Sequence, residues 1–202
     1  MKKITLTILI LIISLISQGQ NVKLVSCTNI YKDDFPKDYK DKNIEVQYLV
    51  NQDTTDQKGY INIKKGNLYR QLIIEDFVVF PICAKPILAF YNSDKVAFLS
   101  NCMTSKYLLV IDLKCEKCDD YLEPYFISNK DSLLIYQKDI GTKIFYISDL
   151  NFKILKTINL KDMYDCGNTH DCFEKISCKN KIIKFVYLDK KRNKKILKIK
   201  AR

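Results

Sequence analysis

Eight cysteines and a single histidine hold most of the reactive chemistry in this 202-residue chain. Cys115-Glu116-Lys117-Cys118 forms a CxxC, the spacing of both zinc thiolate knuckles and thiol redox pairs. A second cluster, Cys166, His170 and Cys172, could add sulfur and nitrogen ligands if two loops met. The same cluster offers a nucleophile and a base, because a Cys166 or Cys172 thiol within hydrogen-bond reach of His170 is the minimum that cysteine hydrolysis needs. Carboxylates for acid–base work stand at Asp33-Asp34, at Glu116 and at Asp119-Asp120, although adjacent acids beside lysines usually make solvated loops. The sequence contains no glycine-rich phosphate loop, HExxH or calcium loop.

Compartment decides among these uses of sulfur. Lys2 and Lys3 precede an almost unbroken apolar stretch from Ile4 to Ile16, and Ser17 and Gly19 place small residues before a cut after Gly19. The stretch is shorter than the roughly 20 residues of a spanning helix. It resembles the Sec signals of Gram-negative bacteria, which implies a mature chain beginning at Gln20 in the periplasm or outside the cell. Cys27 lies too far beyond the apolar stretch for a lipoprotein anchor.

All eight cysteines, Cys27, Cys83, Cys102, Cys115, Cys118, Cys166, Cys172 and Cys178, lie in the mature part, and an even number behind a leader reads as up to four disulfides. Eight cysteines allow 105 pairings, so connectivity stays open. Each bridge would contribute about 2–4 kcal/mol. An oxidising compartment favours bridges over zinc, so neither a metal nor a cofactor is expected. A thioredoxin-like pair is also disfavoured. Glu116, Asp119 and Asp120 load the thiols with negative charge, which raises a thiol pKa, and Pro124 is the last proline, leaving no later cis-proline loop.

The elements that must position these groups read as strands. Short apolar runs recur at Ile44 to Val50, Tyr60 to Ile63, Leu68 to Ile74, Ile87 to Tyr91, Val96 to Leu99 and Tyr107 to Leu113. They continue at Leu133 to Tyr136, Lys143 to Ile147, Phe152 to Leu160, Ile182 to Leu188 and Ile196 to Ile199. Their length and their β-branched and aromatic content favour strand over helix. Between Asp149 and Asp162, Leu150, Ile154 and Ile158 also fit a helical stripe, and strand is preferred. Runs such as Leu133-Leu134-Ile135-Tyr136 are apolar on both faces, so both faces must be covered.

Asp94 to Leu113, Lys130 to Leu150 and Lys179 to Lys200 share a pattern of strand, polar turn and strand, the middle turn carrying Asp139-Ile140-Gly141. The segment Ile127 to Leu160, with its Ser-x-x-Asp turn, "ISDL" and "KILKTI", resembles one β-propeller blade of the YVTN or NHL type. With Ile44 to Ile74 as a first unit, that resemblance implies about four units of roughly 40 residues. The expected fold is all-β, built of antiparallel hairpin repeats and stapled by disulfides, either propeller-like or an irregular β-sandwich. The expected segments are a signal peptide at 1–19, an N-terminal charged loop region at 20–43 and one β-rich domain at 44–202.

Charge is unevenly placed. The chain carries +11, of which Lys2 and Lys3 leave with the leader. From Lys179 to Arg202 eleven basic residues face only Asp189, so the rest of the mature chain is nearly neutral. Lys190, Lys191, Arg192, Lys194 and Lys195 crowd the turn of this hairpin and are the candidate surface for an anionic envelope component or an acidic protein. A competing use is to keep a sheet edge from aggregating. Export and the lack of aromatic–arginine interleaving argue against nucleic acid. The expected function is that of an exported, non-catalytic module binding a macromolecular partner, of inhibitor or immunity type. The competing expectation is a periplasmic hydrolase or thiol-redox enzyme using carboxylates, His170 or the Cys115–Cys118 pair.

Overall fold

Period-two alternation of apolar side chains, repeated with short turns, makes nearly every described segment a strand. The computed structural model describes residues 24–26, 36–51, 58–74, 86–102, 105–115, 117, 119–139, 142–165 and 173–201. Among these there is no α-helix, and all strand pairs are antiparallel.

The first sheet comprises β1 (Leu24–Ser26), β2 (Tyr39–Lys40), β3 (Glu45–Asn51), β4 (Gly59–Lys65) and β5 (Leu68–Ile74), ordered β1-β3-β4-β5 with β2 also on β3. Gly66, at φ +57°, takes the left-handed position of the tight β4–β5 turn, which glycine adopts without a side-chain clash. The second sheet runs in sequence order through β6 (Ile87–Tyr91), β7 (Lys95–Cys102), β8 (Ser105–Asp112), β9 (Asp120–Ser128), β10 (Leu133–Gln137), β11 (Ile144–Asp149) and β12 (Ile154–Asn159). The third holds β13 (Phe173–Lys179), β14 (Ile182–Leu188) and β15 (Lys194–Lys200), with β14 central.

Two-faced strands explain how these sheets stack. On β7, Val96 and Phe98 join Val46, Tyr48, Ile61 and Ile63 of the first sheet in one core. Ala97 points the other way, into a second core with Leu108, Val110, Leu134 and Tyr136. On β10 the alternation repeats, since Leu133 and Ile135 enter a third core with Phe145, Ile147, Ile183 and Phe185. The seven-stranded sheet thus folds upon itself at β9, and the molecule forms four layers: the first sheet, β6–β8, β10–β12 and the last sheet. The first and last sheets share no core cluster, and no closed barrel or propeller is shown among the described residues.

β9 is the hinge between the inner layers, and composition hid it. Its first residues pair with β8, through Asp120 with Val110 and Leu122 with Leu108. From Glu123 onward it pairs with β10, with a register shift opposite Ile135 and Tyr136. Pro124 sits at this switch, where the β8 ladder has ended and the β10 ladder slips, so its missing N–H breaks neither. Between Asp149 and Asp162 the chain is strand, as preferred. Asp149 closes a turn by accepting the N–H groups of Asn151 and Lys153, and β12 follows.

Candidate functional site

The loop carrying the CxxC is tied down by carboxylates. Asp112, at the end of β8, accepts the backbone N–H groups of Lys114 at 2.9 Å and Cys115 at 3.1 Å, and pairs with Lys95 at 3.1 Å. Burial pushes the Asp112 carboxyl up, but these N–H donors and the Lys95 ammonium outweigh it and hold it below the usual range. Asp119 accepts the Asp112 N–H at 3.0 Å and pairs at 3.0 Å with Arg70, which reaches across from β5 and also donates to the Asp112 carbonyl at 2.7 Å. The negative charge expected to crowd the CxxC thiols is therefore matched at Asp119 by a guanidinium. Asp119 and Asp120 do not act as a pair: the former is bound to Arg70, while the latter is exposed at the start of β9. Lys114 joins the rim through Asp94 at 2.8 Å.

Many of the reactive residues singled out in the sequence fall outside the described residues: Cys27, Cys83, Cys118, Cys166, Cys172, His170, Asp33, Asp34 and Glu116, together with the leader and the Ile140-Gly141 turn. Cys102 closes β7. Cys178, expected in a bridge, has a free thiol. It lies half-buried in β13 on the core-facing side, opposite Ile183, where no cysteine is paired across the strand. Burial, then the neighbouring Asp131 carboxylate, pushes its pKa up against the opposing effect of the Lys181 N–H, which disfavours the thiolate. Seven other cysteines leave at most three bridges within one chain.

A cleft of about 410 Å³ opens beside Tyr39, Leu88, Phe90, Tyr91, Asn129 and Leu150. At its rim Asp41 accepts the Tyr91 hydroxyl at 2.5 Å, the Tyr39 hydroxyl at 2.9 Å and the N–H groups of Asn43 and Ile44 at 2.7 and 2.9 Å. The Tyr91 hydroxyl, followed by the Asn43 N–H, holds the Asp41 carboxyl well below the usual carboxylate range. A carboxylate so fully occupied is a poor proton acceptor at neutral pH. Its evident work is to fasten the approach to β3 onto the second sheet.

The five basic residues of the C-terminal turn are partly engaged. Asp189 accepts the N–H groups of Lys191 and Asn193 and lies 3.7 Å from the Lys195 ammonium. Arg192, at φ +61°, lies 4.7 Å from the Tyr164 ring centroid and also donates to that hydroxyl. Lys194 pairs with Glu174. Lys190 and Lys191 project exposed from the turn, with the Lys190 N–H held by the Asp162 carbonyl at 2.7 Å.

A second, larger collection of cations lies on the sheet itself. Even positions of β14 lie on the face opposite the core that Ile183, Phe185 and Tyr187 enter, with Val186 at its centre itself buried. Register then places Lys179, Ile182 and Lys200 in one row across the outer face, and Ser177, Lys184 and Lys198 in the next. Lys175, Val186 and Ile196 form a third row, and Lys194 sits opposite Leu188 beyond it. Among the described residues, Glu174 is the only acid paired with any of these six lysines. Sequence inspection found the turn rather than this face, although the alternation of Lys198 and Lys200 with Leu197 and Ile199 was its visible trace.

No group of three or more potential metal ligands occurs among the described residues, nor any helix long and apolar enough to cross a membrane. No family model, curated protein or solved structure matches the chain.

Proposed function

We propose that the chain is an exported, non-catalytic binding module of the periplasm or cell exterior. Its four hairpin layers form an open, blade-like scaffold whose last sheet engages an anionic macromolecular partner. The observation that carries this reading is the outer face of β13–β15, where among the described residues six lysines meet one acid in a sheet whose other face is core. Charge so concentrated steers polyanions toward one end of the molecule and weakens its hold as salt rises. Cysteine usage supports export: an even set of eight, all beyond the leader-like stretch, suits an oxidising compartment.

The test uses the chain exported with its own leader. Its intact mass without reduction should correspond to a start at Gln20, with Cys178 open to alkylation after unfolding. Incubated with envelope extract at about 0.1 M salt, it should be retained, and about 1 M salt should release it. A chain that keeps its leader, or that shows no salt-sensitive retention, rejects the reading.

A further inference from the structure

We infer that the outer face of the last sheet is a docking surface for an anionic lipid bilayer. This rests on the exported binding-module reading and specifies its partner. The face is a three-stranded surface, on which rows repeat about every 7 Å along the strands and neighbours stand about 5 Å apart across them. Lys175, Lys179, Lys184, Lys194, Lys198 and Lys200 occupy it in four successive rows, so positive charge is spread over two dimensions rather than along a line. An extended array of headgroups meets such a surface over its whole area, whereas a single nucleic-acid strand follows a groove.

The type of cation agrees. Every charge on these rows is lysine, a mobile ammonium that satisfies scattered phosphates as a point charge, and none is arginine, the fork that bidentate recognition selects. Two large apolar side chains stand among the lysines, Ile182 at 46% and Ile196 at 56% exposure. Isolated in water they gain nothing, but at a headgroup boundary they bury apolar surface while the surrounding ammonium groups stay with the phosphates. Lys184 and Lys198 are directly opposite across the strands, a repulsive arrangement that a sheet of anions relieves. The face thus carries, among the described residues, six lysines against one acid together with exposed apolar contacts, a combination that fits lipid.

The experiment measures sedimentation of the exported, mature chain with vesicles of phosphatidylcholine, alone or with one third phosphatidylglycerol. Binding should require phosphatidylglycerol and fall as salt rises from about 0.1 to 1 M. Each face lysine is expected to contribute about fivefold, so Lys179→Gln/Lys184→Gln/Lys198→Gln should bind about a hundredfold more weakly. An equal loss of charge elsewhere, Lys64→Gln/Lys153→Gln/Lys156→Gln, should cost less than about fivefold. Because the chain has no tryptophan, Ile196→Trp supplies a unique reporter, and its emission should shift to the blue with the anionic vesicles.

Equal binding with and without phosphatidylglycerol overturns the inference, as does an equal loss in the two triple variants or an unmoved Ile196→Trp emission. If vesicles fail but envelope extract still retains the chain through the same lysines, the partner is an acidic protein and the binding-module reading stands. If both fail, both readings fall.

Discussion

The two ends of the layered stack solve one structural problem in opposite ways. Each terminal sheet buries one face and shows the other to water, where a further sheet could add. On the first sheet the outward polar side chains bind one another: Asn62 accepts the Tyr69 hydroxyl at 3.0 Å and the Gln71 amide at 2.8 Å, while Gln47 and Lys40 both bind Glu45. Charges there are few, Lys40, Glu45 and Lys64, and Glu45 is paired with Lys40. The last sheet instead carries its six lysines with a single acid among the described residues, although its inner face is also apolar. A face of few charges is therefore compatible with this architecture, and the fold alone does not call for the lysines. Their cost in self-repulsion points to a use outside the fold.

The largest effect should come from separating the ends. Phe185 is fully buried beneath the lysine face and lies 6.1 Å from the Phe173 ring, in the core that joins β10–β12 to the last sheet. Phe185→Ala should cost about 3–5 kcal/mol, because it removes transfer energy and leaves a cavity. Hydrogen exchange should show protection lost first at residues 173–201, while 45–74, held by a separate core, keeps its protection. Uniform loss at both ends would show that the stack unfolds as one unit and would break the comparison.

Much of the strand pattern was legible because the layered fold buries both faces of its inner strands. Leu133 to Tyr136 announces itself by being apolar throughout, and all four residues are buried. β9 escaped because Asp120, Glu123 and Pro124 give it the composition of a loop, and only the change of partner at Pro124 makes it a central strand. β13 escaped for a related reason, since Glu174, Lys175 and Lys179 dilute its apolar positions. The lysine face was hidden for a different reason. Its members come from three strands, and only the registers Lys179↔Ile182↔Lys200 and Ser177↔Lys184↔Lys198 assemble them, whereas adjacency in the chain drew attention to the turn at 190–195. The free state of Cys178 was also beyond sequence, because pairing depends on what lies across the strand.

A smaller effect should sharpen the contrast between the faces. Lys184→Glu places a carboxylate directly opposite Lys198 and turns a like-charge pair into an opposite-charge pair. Thermal unfolding should show a gain of about 0.5–1 kcal/mol. Binding to phosphatidylglycerol vesicles should weaken in the same variant, since the face loses two units of charge. Stability rising as binding falls is the signature of lysines kept for a partner. A loss of stability would mean that the face already offsets its own repulsion, like the first sheet.

The smallest effect belongs to the first end and is set by pH. The Asp41 carboxylate holds Tyr91, Tyr39 and the N–H groups of Asn43 and Ile44, and these donors stabilise only its charged form. Its folded pKa lies below that of the unfolded chain, about 3.9. The contribution is therefore complete above that value and disappears as pH falls toward the folded one. Acid should loosen the Asp41 contacts while leaving the β14–β15 ladder intact, because that ladder is held by backbone pairing and apolar burial. Nuclear magnetic resonance shifts of the Asn43 and Ile44 amides should stay constant through the usual carboxylate range and move only well below it, as the folded carboxyl takes up its proton. Asp41→Asn should flatten the acid side of the stability curve, because the asparagine cannot recover a carboxylate's hold at any pH. An unchanged acid slope in that variant would place the sensitivity elsewhere, and the first end would then owe its attachment to its apolar core alone.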